Sequence, residues 1–394
     1  MKYKFPLIRN INDVLPAIDG APEFLVSDRG DHKVITYHVS FKDTFPDVND
    51  YNSAIRRECR GIAFANDGRI IRRPFHKFFN LNEREETQMN NVDFIAHTIF
   101  NKLDGSMIAP YKVPGKPEIN WGTKAGFTDF SLDVYNWVAK QKDIDYNKFV
   151  NDMLDDGVTP IFEWMAPNNR VVIDYGREPR LVLTAIRDME TGEYFDVHTM
   201  NMLANAYSIP VVDIVHSGEV SKEFLDALRT RENLEGVVIR FKDGHMLKVK
   251  CDWYLQLHKT KELLAREKDV VSMILNESVD DIKPILQKQD FEQLEAFEKD
   301  FSLAFKRIVD GVLYELEYSK QYDKKSYALE RKSEVPYWQS YSVFKFWDKE
   351  FDYGIIEDYV KDYILKNSLT GSNYESKIRP MLGNCMRWAP TTLG

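Results

Sequence analysis

The chain has 394 residues, room for two or three ordinary domains that each bury a core, and its 43% hydrophobic and 13% aromatic content is that of a globular protein. A formal net charge of −9 argues against a protein that coats nucleic acid through a general positive field, and no apolar run approaches the ~20 residues needed to span a bilayer. Three scattered cysteines, Cys59, Cys251 and Cys385, supply neither a disulfide framework nor a CxxC zinc site.

In chain order, Met1-Lys2-Tyr3-Lys4-Phe5-Pro6 has no apolar core or small-residue cleavage site, so the expectation is a soluble protein of the reducing cytoplasm, a host cell's cytoplasm if the source is viral. Val34 to Val39 and Gly61 to Ala65 read as strands, and Asn66-Asp67-Gly68 as a hairpin signal, because glycine after aspartate supplies positive φ. Arg56, Arg57, Arg60, Arg69, Arg72, Arg73 and Lys77 form a basic run, either a local groove for phosphates or a set of solvated faces. Asp129 to Lys140 predicts a helix; Ile161 to Trp164, Val171 to Ile173 and Leu181 to Ile186 predict strands. Lys222 to Arg229 is helical again, and Val237 to Phe241 enters a hairpin at Lys242-Asp243-Gly244. Residues 1–253 therefore read as an α+β domain with largely antiparallel sheets.

Beyond Trp253 the spacing turns helical, clearest in Phe291, Leu294, Phe297, Phe301, Phe305, Ile308, Val312 and Leu316. Residues 254–394 then form an all-α domain, divided by the charged, loop-like stretch Gln321 to Glu334 and ending in a tail, Ser368 to Gly394, without a clear signal. The eight histidines form no cluster, and His76 and His258 read as packing or surface residues.

The chemistry lies in ordered segments. Lys102-Leu103-Asp104-Gly105 precedes Trp121-Gly122-Thr123-Lys124-Ala125-Gly126, then Glu163 in Ile161-Phe162-Glu163-Trp164, Glu235 in Glu235-Gly236-Val237-Val238, and Lys248 and Lys250 in Leu247-Lys248-Val249-Lys250. A K-x-D-G match alone is weak; the ordered set is more specific. It supplies what moving a nucleotide onto a lysine requires: an amine that can be deprotonated, carboxylates for a divalent metal, and cations for the phosphates. Lys102 is the candidate nucleophile. Such an amine titrates near ~10.4 and must be depressed by neighbouring cations, here Lys248, Lys250 and a metal. Asp104 and Gly105 suit a tight turn that lets backbone approach the nucleotide. With no Cys/His cluster the metal is oxygen-bound, which favours magnesium or manganese. If Asp243-Gly244 is a two-residue turn, Ile239 faces Lys248 and Val237 faces Lys250; Glu235, Lys248 and Lys250 then share one face, and Val238, Leu247 and Val249 the other.

With Arg60-Gly61 and Lys77-Phe78-Phe79-Asn80-Leu81 upstream, this order resembles the covalent nucleotidyltransferase superfamily of ATP-dependent ligases and mRNA-capping enzymes. The stretches Arg57 to Ile62, Lys77 to Asn82, Ala166-Pro167-Asn168-Asn169-Arg170 and Asp252-Trp253-Tyr254 are similar to the T-even phage type of RNA ligase, family 1. The resemblance implies an adenylyltransferase domain followed by a helical domain that selects the RNA. It implies an ATP site of Arg60, Lys77, Phe79, Lys102, Asp104, Gly105, Lys124, Glu163, Glu235, Lys248 and Lys250. In it Lys102 carries AMP, Glu163 contacts the ribose or a hydrated metal, and Glu235 serves the metal. Lys248 and Lys250 grip the α-phosphate, and Arg60, Lys77 and Lys124 meet pyrophosphate or RNA phosphates. The expected partner is RNA with 5′-phosphate and 3′-hydroxyl ends, by family likeness a tRNA nicked in its anticodon loop, acted on by a monomer in RNA repair. A capping guanylyltransferase or DNA ligase shares the lysine and carboxylates but normally carries an OB-fold after the last lysine motif, where this chain turns helical. A non-catalytic RNA-binding protein with a relict nucleotide pocket would not need every chemically required residue type.

Overall fold

The computed structural model describes residues 4–389 apart from 39, 41–42, 49, 93, 95–96, 170–171, 218–220, 281, 284–285 and 287. The expected strand ends Val39 and Val171, and the motif residue Arg170, lie outside the described residues. The chain divides into two compact units, one running to Gln256 and the other from Leu257. Among the described residues no helix is long and apolar enough to cross a membrane.

The strands of the first unit are, in order, β1 (Phe24–Asp28), β2 (His32–Tyr37), β3 (Ile62–Ala65), β4 (Ile70–Arg72) and β5 (Phe79–Asn80). They continue with β6 (His97–Asn101), β7 (Ser106–Lys112), β8 (Ile119–Gly122), β9 (Val158–Met165) and β10 (Arg180–Asp188). The last are β11 (Ile214–Ser217), β12 (Gly236–Phe241) and β13 (Met246–Lys250). They form three sheets of order β1-β2-β3-β4, β10-β9-β7-β8 and β11-β6-β12-β13-β5. All of these pairings are antiparallel except β13 with β5. Helices begin where side-chain oxygens cap them: Asp145 accepts the Lys148 N–H, Asp196 that of Thr199 and Ser221 that of Phe224. The helices Asp129–Val138, Tyr146–Asp155 and Val197–Ala206 cover the second sheet through a core of Trp121, Val134, Phe149, Phe162, Trp164 and Met200. This unit is α+β.

Three local expectations change. The β12–β13 loop has three residues, because the Phe241 N–H bonds the His245 carbonyl and Gly244, at φ +82, bonds back to Phe241. The register is therefore one residue from that of a two-residue turn: Val238 faces Lys248 and Gly236 faces Lys250. Val238 moves to the lysine face, while Val237, Ile239, Leu247 and Val249 make the core face. Val172 and Ile173 are not in a strand; their N–H groups donate to the Asp104 carboxylate at 2.7 and 2.8 Å.

The second unit is helical. Its spine, Lys288–Ser319, buries Leu294, Phe297, Phe301, Ile308, Val312 and Leu316 on one face against the helices Glu267–Leu275 and Tyr353–Asn367. The stretch 321–334, expected as loop, is mostly helical turns. Buried Glu315 holds it by accepting from the Tyr327 hydroxyl at 3.1 Å and from Arg331 at 3.0 Å. Within the tail, Tyr374, Ile378, Leu382 and Trp388 are buried.

Candidate active site

One face of the third sheet, with residues of the other two sheets, lines a cavity of about 290 Å³, near the lower end for small-molecule sites. Strand periodicity selects its wall. Alternate residues Val238 and Arg240 of β12 line it with Met246, Lys248 and Lys250 of β13 and Phe100 of β6. The second sheet contributes Met107, Glu163 and Thr184, and the first Tyr37.

Lys102 follows β6, pinned by its N–H to the Gly236 carbonyl at 2.9 Å. Its ammonium lies 2.8 Å from Glu235 Oε1, which Lys250 approaches at 3.3 Å. Glu235 is 3% exposed. It follows from its position just before Gly236, whose φ of +149 and 2.0 Å approach of any Cβ to the Val249 carbonyl exclude a side chain. Gly105 is required by approach alone: a Cβ there would stand 2.3 Å from the Trp164 carbonyl. Its N–H instead donates to Glu163 Oε1 at 3.2 Å.

Two groups are pushed toward neutrality. Burial, then the charges of Lys77, Arg60 and Lys102, lowers the Lys248 ammonium to about 7. Burial, aided by Glu235 and opposed by Lys102 and Arg60, raises the Glu163 carboxyl to about 7. Burial with Arg60 and Lys77 also lowers Lys124, whose ammonium lies 3.9 Å from the Tyr37 ring centroid and donates to the Tyr37 carbonyl at 3.0 Å. Lys77 sits over the Tyr37, Phe45 and Phe79 rings at 5.2–5.4 Å.

Of the residues singled out in the sequence, Arg60, Lys77, Lys102, Gly105, Glu163, Lys248 and Lys250 line the cavity. Glu235 acts on it through its two lysines. Lys124 reaches Tyr37, which lines it. Asp104 and Phe79 are not among the lining residues. The Asp104 carboxylate accepts the Val172 and Ile173 N–H groups and, at 2.7 Å, the Tyr254 hydroxyl, so it braces the loop after Lys102. Phe79 is 1% exposed in the core of the first sheet. It pairs with core-facing Leu247, which turns the neighbouring Phe78 to the cavity. Sequence reading quoted Phe78 and Tyr254 only within motif stretches, without a role, and passed over Arg240, which follows from Val238 at a spacing of two once the register is correct. Its guanidinium lies 4.7 Å from the Phe100 centroid, and burial lowers it to about 10.

The basic run is neither a groove nor a solvated face for the most part. Arg57 pairs with Glu86 at 2.6 Å, and Arg72 donates to the carbonyls of Gly61 and Thr123. Arg73 and Arg187 clasp Glu58 at 3.1 and 2.8 Å, all three with fully buried side chains. Within that run Arg60 and Lys77 line the cavity, and Arg69 stays exposed beside Asp67.

Among the described residues no group of three or more His, Cys, Asp or Glu could hold a metal. A hydrated magnesium or manganese needs only one or two carboxylates when substrate phosphates complete its shell. Glu163 and Glu235 fit that mode. A cation beside Glu163 would hold as carboxylate a group that burial pushes toward its protonated form.

A family model described as RNA ligase matches residues 58–254, half of the chain. A candidate RNA ligase of Thermovibrio ammonificans is 30% identical over 281 residues, covering 69% of this chain and 70% of its own. A candidate bifunctional polynucleotide kinase/RNA ligase of Autographa californica nuclear polyhedrosis virus is 28% identical over 243 residues; the match spans 57% of this chain and 34% of the viral protein. Among solved structures, a candidate ATP-dependent DNA ligase of Aquifex aeolicus is similar at a TM-score of 0.47 and 15% identity over 66% of each chain. A lysine-to-alanine variant of the Naegleria gruberi RNA ligase with ATP and Mn gives 0.38 and 17% identity over 46% of this chain and 57% of its own.

Proposed function

From the premise that the chain belongs to the RNA ligase family, we propose that it seals RNA strands at the expense of ATP, joining a 5′-phosphate to a 3′-hydroxyl with Lys102 as the residue that carries AMP. The observation that carries this reading is the Lys102 ammonium at the cavity, 2.8 Å from the buried Glu235 carboxylate and beside further cations.

In the first step the Lys102 amine attacks the α-phosphorus. A P–N bond forms, the P–O bond to the β-phosphate breaks, and pyrophosphate leaves. Glu235 hydrogen-bonds and orients that amine, and the proton it sheds passes to water. Lys248 and Lys250 face the phosphates from β13. An arriving triphosphate favours the charged form of Lys248, so its attraction is expressed where negative charge accumulates. Arg60 and Lys77 lie where departing pyrophosphate or an RNA phosphate can be met. Magnesium or manganese held by Glu163 and Glu235 would neutralise the phosphate oxygens. In the second step the 5′-phosphate of the RNA takes AMP from Lys102, restoring the amine; in the third, the 3′-hydroxyl displaces AMP. All three are in-line displacements at phosphorus, and one set of cations serves them.

The reading extends to the two units as an adenylyltransferase domain and a helical domain that selects RNA, in a monomeric cytoplasmic repair enzyme acting on broken tRNA loops. Incubation with α-labelled ATP, and separately GTP, in magnesium or manganese tests it. Label from ATP should stay with the protein through denaturing electrophoresis, and a 5′-phosphorylated single-stranded RNA should then be circularised or joined. Absence of covalent label with both nucleotides and both metals would overturn the reading.

A further inference from the structure

The helical unit carries a second open cavity, of about 710 Å³, that the ligation chemistry does not use. The helix Tyr337–Phe346 places Tyr337, Tyr341 and Lys345 at i, i+4 and i+8, one stripe of its surface. The helix Tyr353–Asn367 contributes Tyr359, Tyr363 and Lys366 at i, i+4 and i+7, and Lys377 adds a third ammonium to the lining. Tyr337 and Tyr341 are stacked, with centroids 6.0 Å apart, and are 70% and 48% exposed. Tyr359 and Tyr363 lie 6.5 Å apart, and the Lys345 ammonium is 4.1 Å from the Tyr359 centroid.

An exposed pair of tyrosines is uncommon on a free surface, where large rings normally bury their area. The charge around them runs against that of the chain as a whole. Three lysines and a single carboxylate, Asp362, are the groups of the lining that are charged at neutral pH by type, on a protein of net charge −9. Partial burial, together with the ammoniums of Lys366 and Lys349, depresses that of Lys345, a sign of a local positive field. Rings that offer flat faces, flanked by cations along the same groove, are the combination that holds unpaired nucleotides: bases stack and the backbone is neutralised. An acidic protein segment would use the lysines but leave the ring faces without a matched partner.

We propose that this groove binds the unpaired bases of the RNA substrate, with Tyr337 and Tyr341 as the stacking platform and Lys345, Lys366 and Lys377 on the backbone. The proposal rests on the RNA ligase reading and gives its RNA a point of contact on the helical unit.

The test uses the full chain and a 5′-phosphorylated stem-loop RNA whose loop is unpaired. The double variant Tyr337→Ala/Tyr341→Ala should weaken binding, read by fluorescence anisotropy, about tenfold or more, while Tyr337→Phe/Tyr341→Phe, which keeps the rings, stays near the parent. Lys345→Ala/Lys366→Ala should instead flatten the dependence of log affinity on log salt, by roughly 0.7 for each phosphate that is no longer neutralised. Self-labelling with ATP should be unchanged in all of them. A fully paired RNA should bind the parent and both tyrosine variants alike. Equal affinity of the parent and the alanine pair for the looped RNA would overturn the proposal and leave the groove to a protein partner. Failure of ATP labelling in the parent, with the tyrosine effect intact, would strike the proposed function and not the groove.

Discussion

Two clusters of buried charge lie in the first unit, and they differ in one respect. Around Glu58, the Arg73 and Arg187 guanidiniums meet the carboxylate directly and the carbonyls of Pro6, Pro74 and Gly192 besides. One carboxylate and several neutral carbonyls take up the two guanidiniums, and the Glu58 carboxyl is held below its ordinary range by Arg187 and Arg73 despite its burial. Around Lys102, by contrast, Glu235 serves two lysines, Lys248 is forced down to about 7, and Glu163 is forced up to about 7, all beside a cavity. The first cluster is complete within the protein; the second has cation charge in hand for a ligand. Sequence composition makes the two look alike. What separates them is whether the field is satisfied internally or left for something to enter.

Mutation should divide the clusters cleanly. Lys102→Ala is expected to remove ATP labelling altogether and to leave thermal unfolding close to that of the parent. Glu58→Ala strands two arginines in the interior and should cost roughly 3–5 kcal/mol, visible as a large fall in the urea midpoint. A Glu58→Ala protein as stable as the parent would erase the distinction. Next in size, Lys248→Ala, Lys250→Ala and Glu235→Ala should each slow adenylation by about two orders of magnitude, equivalent to ~3 kcal/mol in the transition state, without unfolding the protein. Near-parent rates in two of the three would show that this face is not the site.

The clusters should also differ in their response to pH. Glu163 is raised from 4.5 to about 7, so the folded state binds the extra proton between those values, and its contribution to stability is lost as pH rises through that window. Lys248 is lowered from 10.5 to about 7, so the unfolded state binds the extra proton above 7; its contribution is present above the unfolded value and is lost as pH falls toward 7. The two together place a shallow minimum of ligand-free stability near neutrality. Glu163→Gln should flatten the acid limb and Lys248→Met the alkaline limb in denaturant titrations. Limbs unchanged in both variants would mean that neither group titrates as argued.

The smallest effect concerns neighbours. Phe79→Leu should lower stability by about 1 kcal/mol and leave the KM for ATP unaltered, because Phe79 is in the core. Phe78→Leu should raise that KM with little change in stability.

Regular patterns were the legible part of the fold. The helix at Lys222–Arg229, the apolar run of β9 and the apolar stripe of Lys288–Ser319 follow from side-chain pattern and local caps. The hairpin register was not legible, since two- and three-residue loops differ only in how Gly244 closes the turn. Nor was the choice between Phe78 and Phe79, which depends on a two-residue strand pairing in parallel with β13 far along the chain. In the sequence Arg72 and Arg73 fit a phosphate groove or a solvated face equally, and their burial was hidden because their acceptors, carbonyls at Thr123, Pro6 and Glu190, carry no sequence signature. Asp104 belongs to the same class: its motif position announces chemistry, while its bonds tie down residues 172–173 and Tyr254.

The central claim is that the open cluster delivers its charge to one amine, Lys102. Lys248 is the natural rival, since burial and neighbouring cations already bring it near neutrality. Incubating the protein with ATP and magnesium or manganese, quenching in denaturant at alkaline pH to protect a P–N bond, and mapping the adduct by peptide mass spectrometry decides between them. The account predicts one AMP on the peptide containing Lys102 and none on that containing Lys248. AMP on Lys248, or no adduct under conditions in which RNA is sealed, would contradict it.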